Sequence, residues 1–381
     1  MNKTFNKIFF SVFVVFWLLV ALINVITPYK EFSENENKYF SKFPSFSFEG
    51  IINGEYMHKV ENYINEQFLL RDNWISIQSV LEYGSGKREN NGVYIGKNAL
   101  FEKISQPEDK KVEANIDAIN FFVEQTKIPT KIMLVPSASD IQSDTLPAFA
   151  DEWSQKELAD SVYEKTTADG ISVCETLSEH KNEYIFYRTD HHWTTYGSYL
   201  AYVEYCKALG LTPVEYSAKT VSETFNGTLY SKSGVRFMES DVIESFNIDH
   251  DTSLDIMELP TNPVKNDSIY FDERLETKDK YTYFLGDNKP VITARAENGI
   301  DRKLLVFKDS YSHCMAPMLL EHYGEITFID IRYVKQSLDK YIDISEYDDA
   351  LFLYSVDGFA NQNNLGILKY FIKPRKNNKD K

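Results

Sequence analysis

The longest apolar stretch of the chain comes first. From Ile8 to Thr27 about twenty positions carry no charge, enough for a helix to span a ~30 Å hydrocarbon core. Only Ser11, Asn24 and Thr27 interrupt it, and Pro28 closes it. Lys3 and Lys7 precede the stretch and no acid does, so the positive-inside rule places residues 29–381 outside the cytoplasm. A cleaved signal peptide is the rival reading, but it has a shorter apolar region and a small-x-small cleavage site, which this sequence lacks. The expectation is an uncleaved single-pass anchor over residues 1–28.

Beyond the anchor the pattern changes twice. Residues 29–50 are polar and irregular, a short stalk, and 54–86 read as helical, with Tyr56, Val60, Tyr63 and Ile64 at helical spacing. Together, 29–90 form a stalk and helical lead-in. Gly92 to Phe101 reads as a hairpin turning at Gly96-Lys97-Asn98. Helix and strand then alternate. Val112, Ile116, Ile119 and Val123 mark a helix ending before Pro129, and Lys131 to Val135 a strand stopping at Pro136. Thr194 or Thr195 caps a helix with Tyr199, Val203, Cys206 and Leu209 on one face and Gly210 as its stop. Leu304–Phe307, Ile326–Ile331 and Ala350–Tyr354 are buried strands, followed by an amphipathic stretch at Leu365, Ile367, Leu368 and Phe371. Strands separated by helix-length segments predict an α/β domain over 91–372, with a mostly parallel sheet and helices on both faces. Residues 211–300 are less regular and read as an insertion. Residues 373–381 are a basic tail.

Charge and cysteine usage narrow the function. A net charge of −16 repels phosphates and argues against nucleic acid. Three cysteines are too few for a disulfide scaffold, and an odd number leaves at least one free; Cys206 and Cys314 fall on apolar faces and read as buried thiols. Without a CxxC or His-x-x-x-His spacing, no structural metal or other cofactor is expected.

Seven histidines occur in 381 residues, and two of them adjoin an acid in Asp190-His191-His192-Trp193. An imidazole works best as a general base when a carboxylate holds its ring and tautomer, and Asp190 can do this for His192. Two other readings stay open: Asp190 as a helix cap with His192 in the core, and a metal site, for which adjacent residues offer poor geometry. A nucleophile is available downstream. Ser310, in Lys308-Asp309-Ser310-Tyr311-Ser312, follows a buried strand and precedes a helical-looking segment. There a hydroxyl can face the crevice beyond the strand ends, although serine is also an ordinary helix cap.

Strand-Asp-Ser in one place and Asp-x-His-Trp in another resemble the SGNH-type acyltransferases and esterases of cell-surface polysaccharides, and most closely the DHHW family. The sequence is similar to the alginate O-acetylation proteins. Glu34-Asn35-Glu36-Asn37, Phe68-Leu69-Leu70-Arg71-Asp72, Gly92 to Lys97 and Phe225-Asn226-Gly227-Thr228-Leu229 support the likeness. It implies an SGNH-hydrolase-like (flavodoxin-like) fold in the circularly permuted order, with Asp190 and His192 before Ser310. It makes Ser310 the nucleophile, His192 the base and Asp190 its orienter. His191 is left without a role in that triad, and Trp193 is expected to wall the site. Lys308 stands where the family commonly has glycine. Substrate or oxyanion contacts are expected from Trp193, Tyr311, Arg332 and Asn361, with donors after the next two strands near Arg332-Tyr333 and Asp357-Gly358. The Ser310 amide is the surest donor.

The resemblance implies an O-acetyltransferase of a cell-surface polysaccharide, working through an acetyl-serine and supplied by a membrane-bound O-acyltransferase partner. An esterase uses the same triad with water as acceptor. A non-catalytic polysaccharide-binding protein is the third reading, and expects Ser310 to lie far from His192.

Overall fold

The computed structural model describes residues 3–151, 153–362 and 364–372; the basic tail at 373–381 lies outside them. Two compact units emerge: Met1–Lys87 with Tyr230–Phe237, and Arg88–Leu229 with Met238–Lys381.

In the first unit the apolar stretch forms one helix, Lys3–Ile26. Among the described residues it is the one helix long and apolar enough to cross a membrane, with a mean hydropathy of 2.7. Helices Phe48–Ile52, Glu55–Glu66 and Arg71–Gly84 follow. Residues 54–86 are therefore not one helix. One helix ends at Glu66, and the next starts after Leu70, whose left-handed φ of 55° keeps the two from joining. The break turns the Arg71 side chain onto Glu36.

The second unit is built on an eight-stranded sheet. Five strands run parallel, in the order Glu325–Ile329, Lys303–Lys308, Asp349–Ser355, Thr130–Val135 and Asp169–Gly170. On the other side of Glu325–Ile329, strands Val291–Ala296, Thr252–Met257 and Val264–Asn266 add antiparallel pairs. Much of 252–296 thus extends the main sheet, while Ala218–Phe225 and Asp241–Phe246 pair separately.

Side chains alternate across a strand, so one buried strand feeds two cores. Leu304 and Val306 point into one with Met133, Val135, Leu351 and Leu353; Leu305 and Phe307 point into the other with Ile132, Leu134, Phe352 and Tyr354. The first core is covered by helix Thr195–Leu209 through Leu200, Ala201, Tyr205 and Cys206. The second is covered by helix Asp109–Thr126 through Val112, Ile116, Ile119 and Phe122, and by helix Gln155–Lys165 through Ala159 and Val162. The result is a mixed α/β fold with a mostly parallel sheet between two helical layers. Helix Thr195–Leu209 starts and stops as its sequence predicts: the Thr194 hydroxyl accepts from the Gly197 amide, and Gly210 closes it at a φ of 66°.

Candidate active site

Strand Lys303–Lys308 lies inside the sheet, and Ser310 follows two residues beyond its carboxyl end. Residues 304–309 and 311–320 are all buried, yet Ser310 is half exposed. This pattern comes from Asp309. Its carboxylate accepts from the Tyr311 amide at 2.9 Å and from the Ser355 amide and hydroxyl at 2.8 Å each. Those bonds tie the turn to the neighbouring strand end and leave the Ser310 side chain facing out. Burial raises the Asp309 pKa, and the hydrogen bonds oppose that rise. Gly358 is required here, because a Cβ on it would stand 1.9 Å from Asp309 Oδ2. The helical-looking segment after Ser310 does not form one helix. A 3₁₀ turn spans Ser310–Ser312, and the short helix Ala316–Leu319 begins with Pro317 in its first turn, where a missing N–H costs nothing. Any amide contribution at Ser310 therefore rests on individual N–H groups and not on a helix dipole. The Ser310 amide has no hydrogen-bond partner among the described residues.

The second half of the site is the loop before helix Thr195–Leu209. Buried Asp241 shapes it by accepting from the Arg188 amide at 2.7 Å, the Thr189 amide at 2.8 Å and the Tyr184 hydroxyl at 2.6 Å. With the loop fixed, His192 Nδ1 lies 2.5 Å from Asp190 Oδ1, and its Nε2 lies 2.7 Å from Ser310 Oγ. Asp190 Oδ2 accepts from the Thr228 amide at 2.7 Å and its hydroxyl at 2.9 Å. Gly227 makes that approach feasible, since a Cβ there would meet Asp190 Oδ2 at 2.3 Å. Tyr281 stacks on the His192 ring at 3.8 Å and 11°, while its hydroxyl donates to the Ser310 carbonyl at 3.1 Å.

Burial pushes the His192 pKa down to about 4, against the pull of Asp190, so the imidazole is neutral near pH 7. Burial also works against an ionised Asp190, but the adjacent imidazoles and the Thr228 hydrogen bonds outweigh it and hold the carboxyl well below the usual range. The resulting line is carboxylate, neutral imidazole, hydroxyl, with the base in hydrogen-bond reach of the proton it would take.

Asp190, His191 and His192 also form a cluster of metal-ligand type, their donor atoms within 4.8 Å of one another. The fit to a cation is poor. Both ring nitrogens of His192 are engaged by Asp190 and Ser310, and His191 Nδ1 is 2.8 Å from the Thr228 hydroxyl, so a metal would have to break the line.

The other expected contacts fall elsewhere. Trp193 is fully buried and donates from its indole N–H to the Tyr311 carbonyl at 2.9 Å, bracing the serine turn from below rather than walling an open surface. Tyr311 is buried too, its hydroxyl bound to the His191 carbonyl. Arg332 grips Asp330 at 2.6 and 2.9 Å. The Asn361 amide is spent on the Ser105 carbonyl and Asp357, each at 2.9 Å. The Gly358 amide donates to the Ser355 hydroxyl at 2.8 Å, which removes it as an oxyanion donor. Lys308 lies wholly buried, its ammonium 2.9 Å from Asn288 Oδ1 and 2.6 Å from His313 Nε2, and burial lowers its pKa to about 8. Sequence reasoning missed Tyr281, Asn288 and Asp241 outright. Phe225-Asn226-Gly227-Thr228-Leu229 supports the family likeness in the sequence, and the fold adds its contact with Asp190.

Loops at the carboxyl ends of a mostly parallel sheet thus bring aspartate, histidine and serine into line on an α/β fold. Residues 109–329, more than half of the chain, match the model of the DHHW protein family, and the chain belongs to that family. No curated protein sequence matches it. A DHHW family protein from Eubacterium siraeum has a similar crystal structure, with 23% identity and a TM-score of 0.64 over 75% of this chain and 98% of that one. Bacillus cereus PatB1, solved with a sulfonyl adduct, aligns at 16% identity and a TM-score of 0.60 over 74% of this chain and 98% of that one. The O-acetyltransferase domain of Pseudomonas putida AlgJ aligns more loosely, at 13% identity and a TM-score of 0.45 over 73% and 99%.

Proposed function

We propose that the chain is an O-acetyltransferase of SGNH type, anchored by its N-terminal helix and acting outside the cytoplasm on a cell-surface polysaccharide. The observation that carries this reading is the single imidazole of His192 bridging Asp190 at 2.5 Å and Ser310 at 2.7 Å. A protein with a relict site has no reason to keep a neutral base against a half-exposed serine. The order Asp190, His192, Ser310 along the chain fits the circularly permuted branch.

In the reaction, Ser310 Oγ attacks the acetyl carbonyl as His192 Nε2 takes its proton. Asp190 steadies the imidazolium that forms. The unpartnered Ser310 amide donates to the oxyanion. The proton leaves with the donor's departing oxygen, giving acetyl-serine. A sugar hydroxyl then attacks, passes its proton to Nε2, and the serine leaves with it. Ser310 is half-buried, which leaves its hydroxyl within reach of an acetyl donor and then of a sugar hydroxyl. The acetyl donor outside the membrane would come from a membrane-bound O-acyltransferase.

The test is a purified protein given p-nitrophenyl acetate with and without an oligosaccharide. The expected result is acetylated sugar, an acetyl group trapped on the Ser310 peptide, and neither product from Ser310→Ala. Acetate release with no acetylated sugar would make the protein an esterase. Equal turnover by wild type and Ser310→Ala would end the triad reading. Sulfonyl fluorides trap activated hydroxyls, so they should label Ser310 and spare the His192→Ala variant.

A further inference from the structure

Helix Arg71–Gly84 is amphipathic in the wrong sense for a soluble surface. Its exposed positions are Asn73, Trp74, Ile77, Gln78, Val80, Leu81 and Gly84, and none is charged. Trp74, Ile77, Val80 and Leu81 are 50–68% exposed, and Leu70, one turn before Trp74, is 62% exposed. Trp74, Ile77 and Leu81 follow the spacing of a single helical face. The charges lie off that face and are already paired: Arg71 with Glu36, Asp72 with Lys30, and Glu82 with Lys87. A stripe of this size and neutrality is unusual on a surface bathed in water.

The start of this helix is fastened to the end of the apolar N-terminal helix. The Leu69 amide donates to Asn24 Oδ1 at 2.7 Å, within the last turn of Lys3–Ile26. Lys30 adds backbone bonds to the Gln67 side chain at 2.9 Å and an ion pair to Asp72 at 3.2 Å. If Lys3–Ile26 spans a bilayer, Asn24 lies at its outer boundary, and Leu70 and Trp74 lie at the same depth. Tryptophan is favoured at that level, where an apolar ring meets headgroups.

We infer that helix Arg71–Gly84 is an interfacial helix, lying in the outer headgroup layer with Trp74, Ile77 and Leu81 turned into the lipid. This rests on the anchor reading of the N-terminal helix and adds a second membrane contact to it. A helix of 14 residues is about 21 Å long, and an apolar face of that length buries several ångströms into the boundary between headgroups and acyl chains. Such a contact restrains the swivel of the first unit about its anchor.

The experiment uses the full chain in vesicles of phosphatidylethanolamine and phosphatidylglycerol. The three native cysteines are buried, so one introduced cysteine carries a nitroxide selectively. Labels at Ile77→Cys and Leu81→Cys are compared with Glu61→Cys, exposed on helix Glu55–Glu66, and with Trp17→Cys in the N-terminal helix. The expected result at 77 and 81 is free access for oxygen and several-fold lower access for a nickel chelate than at 61. Nickel access equal to that at 61, with Trp17→Cys still in lipid, overturns the interfacial helix and leaves the anchor standing. Exclusion of both oxygen and nickel at 77 and 81 overturns it in favour of a covering protein. A label at 17 that meets nickel freely removes the anchor and this inference together.

Discussion

Asp190 and Asp309 are matched in almost every respect but one. Each is buried, each accepts backbone and hydroxyl donors from a distant segment, and each is approached by a glycine that has no room for a Cβ. The difference is the partner on the free side. Asp190 faces an imidazole, whereas among the described residues Asp309 accepts from two amides and the Ser355 hydroxyl. Burial raises the Asp309 pKa, while at Asp190 its cost is outweighed and the pKa falls. Similar burial thus serves two ends: one carboxylate holds a base, the other holds a turn.

Several substitutions test that division, beginning with the largest effect. Ser310→Ala should lower kcat by at least about 10⁴-fold, with an unchanged melting curve. Asp190→Asn should cost about 10³–10⁴-fold in kcat, because the amide no longer fixes the His192 tautomer. Asp309→Asn should instead cost roughly 1–3 kcal/mol in denaturant unfolding, with a far smaller loss of rate. The division of labour fails if the two variants lose rate and stability in the same proportion. The glycines should split likewise, Gly227→Ala acting on kcat and Gly358→Ala mainly on the unfolding midpoint.

pH sharpens the contrast. With His192 at about 4, kcat/KM should hold through the ordinary histidine range and fall only as pH nears about 4. The folded imidazole binds its proton less readily than the unfolded one at 6.5. Its contribution to stability is therefore whole above pH 6.5 and is lost as pH drops from there through about 4. An acid limb at 6.5 would show that burial does not tune this base. Smallest of all, Thr228→Val keeps the amide bond to Asp190 and removes the hydroxyl bond; a loss of about tenfold in kcat is expected.

Periodicity made the parallel half of the sheet legible, because strands such as Leu304–Phe307 are buried on both faces and read as unbroken apolar runs. The antiparallel strands Thr252–Met257 and Val264–Asn266 are half exposed and polar, so nothing local distinguishes them from loops. Asp190, His192 and Ser310 stood out by residue type and order. Tyr281 and Asn288 did not, since a stacking tyrosine or a half-buried amide has no local signature and gains its place only when the chain closes. Lys308 reads in the sequence only as a departure from the glycine common in the family. The fold hides it completely and supplies Asn288 and His313 to hold it, which no local pattern announces.

The buried cysteines have a consequence of their own. Cys174, Cys206 and Cys314 have thiol pKa values raised by burial to about 11. At neutral pH roughly one thiol in ten thousand is then ionised, and the thiolate is the form that oxidants and disulfides attack. The fold therefore has no redox handle: its integrity should be indifferent to whether its surroundings are oxidising or reducing, and its maturation needs no disulfide machinery.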